Sequence, residues 1–405
     1  MASIPDRYLV AHLRSAEQIL AHYDGQEPFP VYLKNFFREN RKFGSRDRRQ
    51  VSDFCYAFFR LGNALPELPL QERILVGCFL CGDRSVGMME ALRPEWANAQ
   101  QGSLNERISF IEKALREFSL EDVFPLCGQL SEGIDKDAFI RSHFVQPDLF
   151  IRPRPGKEKE LKRKLDAAGI AYRHTAEHGL AMDNATKLDS IGLPDLDFVV
   201  QDLSSQDTAT YFPGKNSLPS KPTIWDACAG SGGKSIMAFD RFPSCQLFVS
   251  DVRPSILQNL SHRFRAAGIR DYRQAVTDLS VMDNRQTTAM DFFPTGGFDL
   301  VIADVPCSGS GTWGRDPWAL SYFGQEELES YARRQRAMIS NIIPQVKPGG
   351  YLLYITCSVY ATENEEVAGF IESQGNLRLL QTGSIRGYEH RADTLYAALF
   401  TSTRG

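Results

Sequence analysis

The dominant pattern of the chain is an alternation, over its second half, of short apolar runs with amphipathic stretches. The runs TIWDA (223–227), QLFVSDV (246–252), Tyr272 to Val276, LVIAD (300–304) and YLLYIT (351–356) predict strands. Between them, helices are expected after Lys234, after Pro254, from Gln325 to Val346 and from Thr362 to Ser373, the last opened by the capping-box spacing Thr362-Glu365. Such alternation predicts an α/β domain with an open parallel sheet and helices on both faces. Leu377 to Leu380 and Thr394 to Phe400 are expected to pair as an antiparallel edge.

The first part reads differently. Leu9, Leu13, Ala16 and Leu20, then Val51, Phe54, Cys55, Phe58 and Phe59, recur at helical spacing, so a helical domain is expected over 1–145, punctuated by Gly62, Gly77, Gly82 and Pro94. Cys78 and Cys81 form a CxxC without a basic neighbour or a second pair, which predicts a core role rather than a metal or redox one. A short strand at Phe150-Ile151-Arg152 and a basic helix, EKELKRKLDAAGI, make 146–200 a small α+β module. His174 and His178 lack an acidic or thiol partner, and a metal role is not expected. Residues 201–405 then form the α/β domain.

Composition narrows the class. The chain is 42% hydrophobic with a net charge of −4, which excludes a uniformly basic coat, and no apolar run approaches the roughly 18 residues that span a bilayer. A monomer in the cytoplasm is expected, with eight scattered cysteines as free thiols. Charge is nevertheless concentrated: residues 31–49 carry seven Lys/Arg against two acids, and 152–173 carry eight against three. Arg46, Arg48, Arg49 and Arg152 are therefore candidates for phosphate contacts with RNA.

The chemistry gathers at predicted strand ends. DACAGSGGKS (226–235) places Gly230, Gly232 and Gly233 before a helix, where backbone can approach a ligand. Cys228 occupies a position where a phosphate-binding loop needs glycine, and Ser235 one where a dinucleotide fingerprint does. Asp251, Asp278 and Asp304 follow at the ends of the second, third and fourth strands. A glycine turn with successive carboxylates and no phosphate clamp describes an adenosine site of the shape S-adenosylmethionine requires. Cys307 and Cys357 sit just past the fourth and fifth strands, 50 residues apart. A pyrimidine C5 is too weak a nucleophile to take a methyl group unless a thiolate first adds at C6, and a second thiol can then assist release. The residues alone treat the two cysteines alike.

DACAGSGGKS, SDVRPSI, ADVPCSGSGTWGRDP, KPGGYLLYITCS and ENEEV resemble, in order and spacing, the motifs of the Nol/Nop/Sun family of RNA 5-methylcytosine methyltransferases, and VVQDLSSQDTA resembles the segment leading into its catalytic domain. The resemblance implies a Rossmann-like class I methyltransferase sheet, with Cys357 as nucleophile, Cys307 as release thiol and Asp304 as the acid that holds the base. It puts S-adenosylmethionine on Cys228, Ala229, Gly230, Ser231, Gly232, Gly233, Lys234, Asp251, Asp278 and Asp304, with Lys234 also near the target base. FGSRDRRQVSDFCYAFFRLG resembles the NusB-like RNA-binding domain of the bacterial RsmB (Fmu/Sun) branch, which acts on 16S ribosomal RNA. The chain departs from the family at Gly230-Ser231, usually Ala-Pro, and at Asp393-Thr394-Leu395-Tyr396, usually Asp-Gly-Phe-Phe.

The leading expectation is an enzyme that flips a cytosine from RNA, stacks it near Trp313 or Tyr360 and methylates C5. The same chemistry on transfer RNA is an alternative. Amino-group methylation, with Asp304-Val305-Pro306-Cys307 replacing an Asp-Pro-Pro-Tyr loop, lacks the aromatic residue and leaves Cys357 unexplained. A non-catalytic RNA assembly factor would have little use for the complete set of acids, glycines and thiols.

Overall fold

A computed structural model describes residues 7–82, 87–175, 179–281 and 292–403, so His178 lies outside the described residues. The chain forms two compact units, one comprising 1–128, 135–146 and 313–324, the other 129–134, 147–312 and 325–405.

The first unit is helical. Its helix Ser45–Arg60 buries Val51, Phe54, Cys55, Phe58 and Phe59, the positions that recur at helical spacing, while Arg46, Arg48 and Arg49 near its N-terminus are exposed. Gly77 does not punctuate; it lies inside helix Leu70–Cys81, where a Cβ would stand 2.2 Å from the Ala57 carbonyl oxygen. The glycine is what lets two helices approach so closely. Cys78 on that helix is buried, and burial raises its thiol pKa, as a core cysteine requires. Trp313 is 3% exposed and packs on Phe124 and Phe323, so it belongs to this unit's core. Arg60 donates to the carbonyls of His143 and Gly314 and to Gln146, joining the three chain segments.

The second unit holds two sheets. A small one, β1 (Leu149–Pro153), β2 (Arg173–His174), β3 (Leu180–Met182) and β4 (Phe198–Val200), runs in the order β2-β3-β1-β4. The larger comprises β5 (Thr223–Asp226), β6 (Gln246–Asp251), β7 (Tyr272–Val276), β8 (Phe298–Asp304), β9 (Val346–Thr356), β10 (Leu377–Ile385) and β11 (Leu395–Ser402). Its order is β10-β11-β9-β8-β5-β6-β7, with β5 to β9 parallel and the β9-β11-β10 edge antiparallel. Alternation along the strands supplies both faces: Leu300, Ile302, Leu353 and Ile355 join one core with helices Gly233–Arg241 and Pro254–Ala266. Val301, Ala303, Leu352 and Tyr354 join the other with helices Gln325–Ile342 and Glu365–Ser373. This is the doubly wound, Rossmann-like arrangement.

Two local expectations need correction. Strand β9 starts at Val346, because Pro348-Gly349-Gly350 is accommodated as an irregularity between the Phe298 and Leu300 pairings instead of ending the strand. The capping box at Thr362-Glu365 does not form. Asn364 precedes the helix, its carbonyl oxygen accepting from Thr356 Oγ1 and its amide donating to Ser131 Oγ and the Ser358 carbonyl. The antiparallel edge forms through the divergent Asp393 to Tyr396 stretch, where Thr394 bonds Gly311 through its backbone.

Candidate active site

The order reversal between β5 and β8 places the C-terminal ends of these strands around one crevice. A cavity of about 680 Å³ opens there, lined by Cys228 to Ser231, Gly233, Lys234, Asp251, Asp278, Asp304, Cys307 and Cys357. Thus the cysteines, the strand-end acids, Lys234 and most of the glycine turn expected from the sequence converge, while Arg152 does not line the cavity.

Strand β5 runs into the glycine turn, with Gly230 at φ +51° and Gly232 at φ +87°. A Cβ on Gly230 or Gly233 would meet nothing within 4 Å, which leaves an open cradle above the turn. Asp251, at the end of β6, accepts the Gly230 N–H at 3.0 Å and, from Arg253, the backbone N–H at 2.9 Å, Nε at 3.0 Å and Nη2 at 3.3 Å, the Arg253 side chain being 63% exposed. Asp278 accepts from Ser280 Oγ at 2.6 Å and its N–H at 2.9 Å, and these bonds lower its pKa. Cys228 is held protonated by burial, reinforced by the negative charge of Asp226, Asp304 and Asp251, which removes it from the candidate nucleophiles.

Asp304 leaves β8 and meets Lys234 Nζ at 2.7 Å. Burial lowers the lysine pKa, but the charge of Asp304 and its hydrogen bond, with Cys357 and Asp226, outweigh it and raise the value, so Lys234 is a cation. Cys307 Sγ and Cys357 Sγ stand 3.2 Å apart. Their loops are pinned to each other: Val305 N–H donates to the Ile355 carbonyl at 3.1 Å and Gly311 N–H to the Cys357 carbonyl at 2.9 Å. Only glycine fits at 311, where a Cβ would lie 1.8 Å from the Thr394 carbonyl oxygen. The hydrogen bond with Cys357, and then burial, raise the Cys307 thiol pKa. Either sulfur can donate in this contact.

Sequence reasoning missed the support beneath this loop. Glu363, fully buried, accepts from Ser308 N–H at 2.9 Å, Ser308 Oγ at 2.5 Å and Gln335 Nε2 at 2.9 Å, while Gln335 also donates to the Pro306 carbonyl at 3.1 Å. The signal was present in the ENEEV stretch, whose first residue is Glu363, but its partners lie 28 and 55 residues away. Glu363→Ala strands these donors and should cost roughly 3 kcal/mol in urea unfolding. A variant as stable as the parent would show that the network is dispensable.

Asp226, at the end of β5, accepts Ser235 Oγ at 2.6 Å, and burial pushes its pKa up to about 7. The native state thus keeps a proton that the unfolded chain, with an aspartate pKa of about 3.9, has lost, so stability falls as pH rises from about 4 to about 7. Asp226→Asn should flatten that slope, and the urea midpoints of the two proteins across this range should diverge with rising pH, in favour of the variant. Parallel curves would exclude a neutral Asp226.

Two expected roles do not fit, phosphate contact by Arg152 and base stacking near Trp313 or Tyr360. Arg152 is 13% exposed and its guanidinium is engaged by Asp240 at 2.6 Å and Gln201 at 2.9 Å, so its charge is neutralised within the fold rather than offered to phosphate. Trp313 and Tyr360, at 3% and 0% exposure, have no free ring face for an extruded base. Arg46, Arg48 and Arg49 belong to the helical unit. Among the described residues no cluster of His, Cys, Asp and Glu could hold a metal, and no helix is long and apolar enough to cross a membrane.

The chain is similar to several known proteins. The family model described as 16S rRNA methyltransferase RsmB/F matches residues 198–396. Ribosomal RNA small subunit methyltransferase B of Enterobacter sp. (strain 638) is 28% identical over 186 residues, 46% of this chain and 41% of that protein. The 28S rRNA (cytosine-C(5))-methyltransferase of Mus musculus is 32% identical over 173 residues, 41% of this chain and 20% of that protein. The chain therefore spans less than half the length of either relative. Among solved structures, that of PH0851 covers 98% of this chain and 99% of its own at a TM-score of 0.67 and 19% identity. NSun6 from Pyrococcus horikoshii with SFG covers 67% and 95% at 0.54 and 16%, and both likenesses concern the fold. Residues 198–396, which carry the crevice of glycines and strand-end acids and the paired cysteines, are thus similar to the RsmB/F family of methyltransferases.

Proposed function

We propose that this chain methylates C5 of a cytosine in RNA, most naturally 16S ribosomal RNA, using S-adenosylmethionine and a transient bond between Cys357 and C6. The observation that carries the reading is the 3.2 Å separation of Cys307 and Cys357 sulfurs in the crevice that also holds the Lys234–Asp304 pair. Amino-group transfer has no use for two thiols in contact. The cradle suits S-adenosylmethionine: open space above Gly230 and Gly233, Asp251 for the ribose hydroxyls, Asp278 for an adenine amine, and a volume in the range of small-molecule sites. When bound, it supplies an electrophilic methyl group.

Each side chain then has one task. The Cys357 thiolate, bonded by the Cys307 thiol and close to the Lys234 cation, gives its electron pair to C6, and the C5–C6 π pair becomes available at C5. Asp304, sharing a proton with N3, holds N3 and the exocyclic amine of the base, with Lys234 Nζ 2.7 Å from its carboxyl group. After C5 has been methylated, the C5 proton passes to a water that Cys307 positions, or to Cys307 itself once it is a thiolate, the pair left behind re-forms C5–C6, and Cys357 leaves as thiolate. The exposed Arg46, Arg48 and Arg49 are proposed to contact RNA phosphates, which set register more than they read bases.

Incubation with S-adenosylmethionine and RNA carrying 5-tritiated cytosine should release tritium, because methylation replaces the C5 hydrogen. Methyl label incorporated without tritium release would overturn C5 as the acceptor.

A further inference from the structure

The glycine turn carries an anchor that local sequence does not reveal. Gly230 and Gly232 have positive φ and open space lies above Gly230 and Gly233; the Gly230 N–H is held by Asp251 and the Gly232 N–H by the Ala229 carbonyl, which leaves the Ser231 peptide to be held from outside the turn. Arg263, from helix Pro254–Ala266, supplies the missing constraint. Its Nη1 donates to the Ser231 carbonyl at 3.1 Å and to Ser231 Oγ at 2.9 Å. Its Nε reaches both Asp195 carboxylate oxygens at 3.1 and 3.0 Å, and Nη2 reaches Oδ1 at 2.7 Å.

Asp195 is in turn a fixed post. It lies in the left-handed region at φ +65°, its N–H donates to the Phe198 carbonyl at 2.6 Å, and its own carbonyl accepts from Arg154. Arg154 is tied to Asp240 at 3.0 Å and to the Ala267 carbonyl at 3.1 Å, just beyond the helix that bears Arg263. The Arg263 and Asp195 side chains are 23% and 10% exposed, so water competes weakly for the fork. Both Ser231 and Arg263 line the cavity.

We propose that Arg263 is a positioning residue for the methyl donor: by fixing the Ser231 peptide against Asp195 it preorganises the turn that must receive S-adenosylmethionine, and so spares the ordering entropy that binding would otherwise cost. The role rests on the cofactor reading above. A lysine cannot reproduce it, because one ammonium cannot span Ser231 and the Asp195 carboxylate with fork geometry.

The test uses the full chain and S-adenosylhomocysteine as probe. Calorimetry should show Arg263→Ala and Arg263→Lys weakened about tenfold, and Ser231→Ala, which leaves the ion pair to Asp195 intact, weakened about threefold. In ligand-free protein, amide hydrogen exchange over 228–234 should accelerate about tenfold in Arg263→Ala while that of β8 and β9 stays unchanged, a readout independent of any ligand. If exchange over the turn and affinity are both unaltered in the three variants, the proposal is wrong. If Arg263→Ala does not fold, Ser231→Ala decides by the same two measurements. A parent protein that fails to bind the probe would instead overturn the cofactor reading, leaving the exchange result to report on the tether alone.

Discussion

Cys357→Ala is expected to abolish methyl transfer to RNA, a loss on the order of 10⁴-fold or more, as when the nucleophile of a covalent pathway is removed. The barrier is electronic. Without addition at C6 the C5 carbon is a poor nucleophile, and neither the cradle nor the Lys234–Asp304 pair, 2.7 Å apart, changes that. The variant should fold, since a half-buried thiol exchanged for a methyl leaves only a small void, and S-adenosylhomocysteine affinity should stay within about twofold of the parent. Full activity in Cys357→Ala would remove this residue from the chemistry and with it the covalent pathway.

The second large effect is of another kind. Cys307→Ala should stop turnover while leaving the attack intact, so incubation with RNA and S-adenosylmethionine should accumulate a protein–RNA adduct that survives denaturing electrophoresis. Cys307 Sγ lies 3.2 Å from Cys357 Sγ, and once Cys357 is bonded to carbon Cys307 is the sulfur left beside C5. Losing it removes the route by which the C5 proton departs. The double variant Cys307→Ala, Cys357→Ala should form no adduct. If Cys357→Ala traps the adduct instead, the two thiols exchange roles.

What the sequence discloses and what it withholds follow from the range of the forces involved. Strand β8 is legible because Leu300 to Ala303 are all buried, and a strand packed on both faces reads as a continuous apolar run. The turn and strand-end acids are legible because their function depends on position along their own strands. Arg152 is misread because the carboxylate that neutralises it, Asp240, lies 88 residues on, and the same distance effect hides Glu363 and Arg263. Trp313 and Tyr360 are misread because an aromatic residue near a reactive loop has two uses, packing and stacking, which only burial distinguishes. Thr362 is misplaced for capping because the helix starts two residues later, after Asn364, whose side chain is engaged by Ser131, 233 residues earlier.

The order in which the polypeptide visits its two units constrains how it can be dissected. Twelve residues, 313–324, are covalently continuous with the cysteine-bearing loop after β8 yet are folded into the helical unit, while 129–134 make the reverse excursion. A truncated protein starting at residue 147 would strip Trp313 of Phe124 and Tyr322 of Tyr23, baring apolar surface a few residues from Cys307. Neither half is a module that evolution or an experimenter can excise with one cut.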